Sequence, residues 1–360
     1  MHRNSIDSKQ ADLVRTIADK GSLTKAAEAL FVTQSALSHR LRKLEEQLGI
    51  RLFDRSGGAL TVTRAGRVVY DYAVKLQQER RAFDQGLGEV LRKNDYRYTH
   101  GYSAAESVRL ADQAQTVADY IHHDSYWPAG STILEVGCGV GAQTKLIADQ
   151  NPDCQFIGID RSASSIRKAR LDPELNSLPN VTLEVLDVIQ LSHRSIPFDH
   201  IFVCFVLEHL TNPLEILQLL YSHLPEGGTL TVVEGDHGST YFHPASVYAD
   251  RAVAAQVALQ RANGGDANIG RQLYPLLNQA AFRDIVVSPR CIYVDDGKPE
   301  LKQDFILKTF TSMIEGIRKA VVEEGIETKA VMDQGIADLR LTSQPGGTFN
   351  YTFFKARARK

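Results

Sequence analysis

The segment at residues 131–149, STILEVGCGVGAQTKLIAD, limits the possible folds more than any other part of the sequence. An apolar run precedes glycines at positions 137, 139 and 141, and an amphipathic stretch follows, which predicts a buried strand, a tight turn and a helix. Glycine lets the backbone approach a ligand without hindrance from Cβ, and a helix N-terminus offers unpaired N–H groups. The segment therefore predicts a ligand-binding turn at the edge of an α/β sheet.

Acidic residues stand at the ends of the strands predicted around this turn. Glu135 closes the first strand, QFIGID ends in Asp160, and VTLEVLD ends in Asp187. A carboxylate at Asp160 can accept hydrogen bonds from ribose hydroxyls, and one at Asp187 can accept a hydrogen bond from an adenine amino group. The glycine spacing also satisfies the dinucleotide pattern GxGxx(G/A), so a nicotinamide dehydrogenase is an alternative that only the surrounding motifs disfavour.

The motifs that follow complete an ordered series. FDHIFVCFVLEHL and LPEGGTLTVVEG predict a fourth and a fifth strand, while FRDIVVSPRCIYV and GGTFNYTFFKARA predict a late antiparallel pair. In order and spacing the series resembles class I S-adenosylmethionine-dependent methyltransferases. The resemblance implies that residues 94–360 form an α/β, Rossmann-like domain with a seven-stranded, mostly parallel sheet. Helical insertions at about 245–281 and 299–341 would cap the substrate pocket.

The resemblance also implies a cofactor, S-adenosylmethionine, and the residues that would bind it. The glutamate and glycines of EVGCGVG would contact its methionine and sugar parts, Asp160 the ribose and Asp187 the adenine. The full set of expected cofactor residues is Glu135, Gly137, Cys138, Gly139, Gly141, Gln143, Asp160, Arg161, Asp187, Val188 and Cys204.

Methyl transfer is a displacement at a sulfonium carbon, which requires an aligned nucleophile and, for some acceptors, a base. The candidates for these catalytic roles are Glu208, His209 and His237; alternatively, Glu208 and His209 only hydrogen-bond their loop. EGDHGSTYFHP predicts a polar substrate pocket, and its ligand spacing does not favour a metal site. The acceptor is expected to be a small molecule, because CFVLEHL replaces the Asn/Asp-Pro-Pro-aromatic motif of nucleic-acid amino-methyltransferases.

The N-terminal 63 residues predict three short helices and a small β wing, with Ser22 placed to cap the second helix and Thr33 to cap the third. The third helix has Leu37, Leu41 and Leu44 on one face and polar and basic residues on the other, as a DNA recognition helix requires. GSLTKAAEALFVTQSALSHRLRKLEEQLGIRLFDRSGGALTVTRAG resembles the winged helix-turn-helix of LysR-type transcription regulators. This resemblance implies a double-stranded DNA operator as partner, contacted by Thr33, Gln34, Ser35, Ser38, His39, Arg42 and Arg55. Ser35 departs from the family, which often has proline at that position.

Residues 64–93 predict one long helix with a single apolar stripe. Such a helix cannot bury its stripe alone, so we expect a homodimer formed through it, as in LysR-type regulators. The alternative is that the stripe packs on the chain's own catalytic domain.

Charge divides the chain in the same way as the motifs do. Residues 1–93 contain 17 Lys and Arg against 11 Asp and Glu, a net charge of +6, whereas the remainder carries −8. Residues 1–93, which we call the head, are basic and the remainder is acidic, which predicts that only the head binds a polyanion. Four scattered cysteines, no visible secretory signal and no apolar run of membrane-spanning length predict a reduced cytoplasmic protein without a membrane partner.

Three functions remain open at this point. The chain is expected to be a methyltransferase of a small molecule that also regulates transcription. Alternatively, it is a regulator that uses a catalytically silent methyltransferase fold as a cofactor or metabolite sensor, or a plain enzyme whose head only dimerises.

Overall fold

The computed structural model describes residues 6–30, 32–54, 60–92, 104–193 and 198–360. Backbone contacts divide the chain into two compact units. The first reaches to Arg92, and the second holds the rest of the chain apart from residues 192–195. No helix in the described part of the chain is long and apolar enough to cross a membrane.

The first unit is a helical head with a two-stranded ribbon. Its elements are α1 (Ser8–Lys20), α2 (Leu23–Ala29), α3 (Gln34–Leu48), β1 (Phe53–Asp54), β2 (Thr61–Val62) and α4 (Arg64–Arg92). Strands β1 and β2 pair antiparallel, as expected for a wing. The predicted apolar face of α3 is buried through Leu37, Leu41 and Leu44 in one core with α1 and α2. Gly66 is required for packing, because a Cβ there would lie 2.0 Å from the Leu52 carbonyl oxygen.

Caps define where these helices begin. Asp7 accepts a hydrogen bond from the Gln10 N–H at 2.7 Å, which starts α1. Thr33 caps α3 as predicted, since its hydroxyl accepts from the Ala36 N–H at 3.2 Å. The prediction that Ser22 caps α2 through its side chain is wrong: it occupies the N-cap position, but its hydroxyl makes no capping hydrogen bond.

The second unit begins with α5 (Ala104–Ile121) and is built on a seven-stranded sheet. Its strands are β3 (Thr132–Val136), β4 (Gln155–Asp160), β5 (Val181–Val185), β6 (His200–Cys204), β7 (Thr229–His243), β8 (Arg283–Val294) and β9 (Thr348–Arg359). They lie in the order β5-β4-β3-β6-β7-β9-β8. The first five are parallel, and β9 runs antiparallel to both of its neighbours. The predicted mostly parallel seven-stranded sheet is confirmed.

Helices cover both faces of this sheet. They are α6 (Ala142–Gln150), α7 (Ala163–Leu171), α8 (Pro173–Asn176), α9 (Pro213–His223), α10 (Val247–Ala262), α11 (Leu273–Gln279), α12 (Pro299–Leu301), α13 (Ser312–Glu323) and α14 (Lys329–Leu341), with a π-helical segment at Lys302–Thr311. One apolar core includes residues of α5, α6, α10, α13 and α14, and the other includes α9 and α11. The central strands β3 and β6 and the first part of β7 are therefore buried on both faces, which is why they read as continuous apolar runs, whereas the edge strand β5 is partly exposed.

Strand β7 differs from its prediction. The predicted strand ends at Gly235, with the polar residues from Asp236 to His243 expected to follow it and line a pocket, but these residues continue the strand, which pairs with β9 as far as Thr348. The register shifts between Asp236 and Tyr241. A shift of this kind bends a strand and changes the direction of its side chains, and such shifts are common beside functional sites.

Candidate active site and nucleic-acid interface

The glycine turn connects β3 to α6. Gly137, Gly139 and Gly141 all have positive φ angles of 74°, 56° and 79°, a region that side chains disfavour. A Cβ on Gly137 would lie 2.5 Å from the Val206 side chain, whereas one on Gly139 would meet nothing within 4 Å. The turn therefore packs closely against the loop after β6, and the space at Gly139 stays open.

Asp160 ties this turn to the end of β4. One carboxylate oxygen accepts from the Gly139 N–H at 2.9 Å and the other from the Ser162 N–H at 2.7 Å. Burial raises the pKa of Asp160, these two hydrogen bonds oppose the rise, and the charge of Asp187, which follows β5, adds to it. A carboxylate offers about four acceptor positions, so Asp160 keeps capacity for further donors.

Glu135 lies at the base of the same turn, at the end of β3. Its side chain is buried, and its Oε2 has no hydrogen-bond partner among the described residues. Burial, together with the charge of Asp160, raises the pKa of Glu135 to about 7. A buried oxygen without a donor is costly, so the position suits a ligand that donates a hydrogen bond or carries positive charge.

The other expected cofactor residues occupy less uniform positions. Cys138 and Cys204 are buried, and burial raises both thiol pKa values well above their usual range. The Gln143 carbonyl oxygen lies 2.7 Å from Nε2 of His122, whose pKa burial lowers to about 4. Val188 begins the 3-10 turn Val188–His193 and is half-buried, whereas Arg161 is exposed. Most of the expected set therefore lies at the carboxyl ends of the strands, with Gln143 engaged by His122 and Arg161 at the surface.

The loop after β6 is held by a buried carboxylate that the sequence analysis did not assign to a role. Glu234, fully buried on β7, accepts hydrogen bonds from the N–H groups of Val206 at 3.0 Å, Leu207 at 2.7 Å and Glu208 at 3.4 Å. Burial and the nearby charge of Glu208 raise the pKa of Glu234 well above its usual range. Since Val206 also packs on Gly137, Glu234 fixes this loop against the glycine turn.

The three candidate catalytic residues lie together at this point. Nε2 of His209 is 3.5 Å from one Glu208 oxygen, and Nε2 of His237 is 3.8 Å from the other. All three residues are buried. A carboxylate between two imidazoles can orient them and exchange a proton with them. Within the described ranges, no group of three or more side chains could hold a metal ion.

Three further polar residues join this group from distant parts of the chain. The Tyr351 hydroxyl lies 3.3 Å from His237 Nδ1. The Gln260 amide donates to the Glu208 carbonyl at 2.9 Å and to its carboxylate at 3.3 Å, and Gln256 donates to Gln260 at 2.8 Å. We call Glu208, His209, Glu234, His237, Gln256, Gln260 and Tyr351 the polar cluster. Sequence reasoning missed Gln256 and Gln260 on α10 and Tyr351 on β9. Their polar groups within otherwise apolar stretches are the signal that could have revealed them.

The head presents a second candidate site on α3. Thr33, Gln34, Ser35, His39 and Arg42 are exposed, and Ser38 is partly exposed. The leucines on the opposite face are buried. This arrangement leaves a polar and basic helix face available to a partner, as a recognition helix requires. Arg55, the remaining expected DNA contact, lies outside the described residues.

Comparison with known proteins finds a family match within each of the two units. Residues 8–67 match the bacterial regulatory helix-turn-helix proteins of the LysR family, and residues 134–230 match a methyltransferase domain. A probable RuBisCO transcriptional regulator of Cyanophora paradoxa is 44% identical over 18% of this chain and 20% of its own length. A trans-aconitate 2-methyltransferase of Methylobacterium radiotolerans is 32% identical over 45% of this chain and 58% of its own. The chain thus spans less than two thirds of either relative.

Among solved structures, phosphoethanolamine N-methyltransferase 2 of Haemonchus contortus, in complex with S-adenosyl-L-methionine, aligns with a TM-score of 0.43 and 16% identity. The alignment covers 69% of this chain and 52% of that one. The sequence matches agree with the sheet order and the glycine turn described above. The chain joins a helix-turn-helix domain of the LysR family, at residues 8–67, to a domain of the class I methyltransferase fold that includes residues 134–230.

Proposed function

We propose that this protein is an S-adenosylmethionine-dependent methyltransferase of a small molecule and that its head binds double-stranded operator DNA. The observation that supports the enzymatic part of this proposal is that two candidate sites lie next to each other. The glycine turn, with the carboxylates of Glu135, Asp160 and Asp187, packs directly against the loop that carries Glu208 and His209. A cofactor on the first site and an acceptor on the second would meet at the edge of the sheet.

The residues of the first site suit the chemistry of this cofactor. Asp160 has acceptor capacity for ribose hydroxyls, and Asp187 is an acceptor for the adenine amino group. The partnerless oxygen of Glu135 suits the positively charged amino group of the methionine part. When bound, S-adenosylmethionine supplies a methyl carbon that is activated by the positive charge on sulfur.

The polar cluster would serve the acceptor. His209 and His237 each lie within 4 Å of Glu208, so either imidazole can take a proton from the acceptor and share it with that carboxylate. Burial excludes water from this exchange and strengthens the electrostatic interactions among these groups. Glu234 would act indirectly, by holding the loop that carries Glu208 in place.

For the head, we propose that the exposed face of α3 reads base edges and holds phosphates. We further propose that two chains associate through residues 64–93, because Val68 and Tyr72 on α4 are exposed apolar side chains. A homodimer would place two recognition helices on paired half-sites. A cytoplasmic location follows from this proposal, because operator DNA and the cofactor are both found there.

Turnover tests the proposal against its main alternative, a regulator that only senses the cofactor. The purified chain would be incubated with S-adenosylmethionine and a bacterial metabolite extract, and formation of S-adenosylhomocysteine would be followed. We expect extract-dependent formation that is lost in Asp160→Ala. Cofactor binding without any turnover would contradict the enzyme and support the sensor.

A further inference from the structure

We propose that the methyl acceptor of this enzyme is an amine, a group that donates hydrogen bonds and carries no negative charge. The inference rests on the proposed function and specifies its substrate class. It depends on the direction of the hydrogen bonds in the polar cluster and on where the buried cations of this unit are already bonded.

The orientation of the two glutamines on α10 follows from their partners. Gln260 Nε2 lies 2.9 Å from the Glu208 carbonyl oxygen, which can only accept, so this atom must be the amide nitrogen. Gln260 Oε1 is therefore an acceptor, and it receives the Gln256 amide N–H at 2.8 Å. This direction of donation leaves the Gln256 carbonyl oxygen as an acceptor.

That oxygen is buried and has no donor among the described residues. Gln256 is fully buried, and Oε1 makes no hydrogen bond. A buried acceptor without a donor destabilises the folded chain, because it has lost its hydrogen bonds to water. The Glu208 and Glu234 carboxylates add further acceptor atoms in the same cluster. A ligand that enters the cluster would therefore stabilise it best by donating hydrogen bonds.

The buried positive charges of this unit are bonded elsewhere. The described residues include two buried lysines and no buried arginine. Lys355 donates to the Ile121 carbonyl at 2.9 Å and to Asp124 and Ser125 at 2.7 Å, and Lys302 pairs with Asp296. The exposed Arg271 pairs with the buried Asp236 at 2.7 Å. An anionic acceptor would therefore meet carboxylates without a buried cation available to neutralise it, which disfavours its binding.

An amine fits this environment through the whole reaction. As an ammonium ion it would donate to the cluster and then lose one proton to His237 or His209. The nitrogen lone pair then forms a bond to the methyl carbon while the carbon–sulfur bond breaks, and the bonding electron pair stays on sulfur. The product is a methylated ammonium ion and neutral S-adenosylhomocysteine, so charge and atoms balance.

The test uses the full chain, labelled S-adenosylmethionine and a bacterial metabolite extract separated by ion exchange into cationic, neutral and anionic fractions. We expect the labelled methyl group in products of the cationic fraction, at least tenfold above the anionic fraction. Label in carboxylate products, including added trans-aconitate, would overturn the amine assignment and leave the methyltransferase function standing. Absence of label from every fraction would overturn both, whereas binding of S-adenosylhomocysteine would still show an intact cofactor site.

A variant tests whether the polar cluster sets this preference. Gln256→Met keeps the approximate size of the side chain and removes both the carbonyl acceptor and the amide N–H that donates to Gln260. We expect it to lower kcat/KM for the amine at least tenfold while the Kd for S-adenosylhomocysteine changes less than twofold. Gln334→Met, the same change at an exposed position on α14, is the matched control and should behave as wild type. An unchanged kcat/KM in folded Gln256→Met would contradict the assignment.

Discussion

The recognition helix and the polar cluster both collect polar side chains, but they hold them in opposite ways. On α3 the polar residues lie outside the hydrogen-bonded core, and Gln34, His39 and Arg42 are exposed. In the polar cluster, Glu208, Glu234 and His237 are buried and bonded to one another or to the backbone. The recognition helix presents its polar residues on the surface of its domain, whereas the polar cluster lies in the interior of its domain.

This difference separates the effects that mutations should have. An exposed side chain on α3 such as Arg42 can be removed with little effect on stability, whereas Thr33 caps the helix and contributes to the fold of the head. A buried carboxylate that accepts several N–H groups supports both the ligand and the loop geometry, so its removal alters binding and stability together.

Replacement of Asp160 by alanine should have the largest effect. The carboxylate accepts two backbone N–H groups and is expected to bind the ribose, and each hydrogen bond to a charged group contributes roughly 1.5–3 kcal/mol. We expect the Kd for S-adenosylhomocysteine to rise about 100-fold by calorimetry. Asp149→Ala, at an exposed position on α6, is the control. An unchanged Kd in Asp160→Ala would remove the ribose assignment.

The raised pKa of Glu135 predicts that the free energy of unfolding of the cofactor-free chain depends on pH. Its pKa is about 7 in the folded chain against an ordinary value of 4.5, so the folded state binds more protons between these values. Its contribution to stability is therefore complete below pH 4.5 and is lost as pH rises through 7. Glu135→Gln should raise the free energy of unfolding at pH 8 by roughly 2 kcal/mol.

Denaturant unfolding at pH 5 and pH 8 measures this effect, with the exposed Glu226→Gln as control. Equal gains for Glu135→Gln at both pH values would show that burial of the charge is not the cause. The same variant should bind S-adenosylmethionine more weakly, since the carboxylate is expected to meet the cofactor.

The glycine turn offers a matched pair of substitutions. Alanine at either Gly137 or Gly139 meets an unfavourable positive φ, but only at Gly137 would the new Cβ lie within 2.5 Å of Val206. We expect Gly137→Ala to lower the free energy of unfolding by about 1–3 kcal/mol more than Gly139→Ala does. Gly139→Ala should instead weaken cofactor binding more than it weakens the fold. Equal destabilisation by both would indicate that Val206 moves away freely.

Arg42→Ala should produce the smallest and most selective change. Loss of one phosphate contact is expected to weaken DNA binding about tenfold and to reduce the slope of log K against log salt by roughly 1. Fluorescence anisotropy at several salt concentrations measures both, and Arg67→Ala on α4 is a matched control. Cofactor affinity should stay the same. A parallel loss of cofactor affinity would contradict the independence of the two sites.

The sequence was informative wherever structure and function depend on neighbouring residues. The helix α4 has the predicted bounds from Arg64 to Arg92, and the glycine turn follows its predicted strand. The cap of α3 by Thr33 was predictable, because capping involves residues only three apart. These features are determined by local periodicity and turn chemistry, which a single sequence records directly.

The polar cluster was predicted only in part because it depends on long-range pairing. Tyr351 reaches His237 through the register of β9 on β7, across 114 positions of the chain, and Gln260 reaches Glu208 across 52. The extension of β7 to His243 depends on the same pairing, since β9 supplies its hydrogen bonds. A segment with Gly, Ser and Asp resembles a loop until a partner strand is known.

Calorimetric titration of the full chain with S-adenosylmethionine and with S-adenosylhomocysteine tests the cofactor site directly. We expect both to bind with micromolar dissociation constants, and Arg42→Ala to bind them as wild type does. Absence of binding to either ligand, in a chain shown to be folded, would contradict the cofactor site built from Glu135, the glycine turn and Asp160.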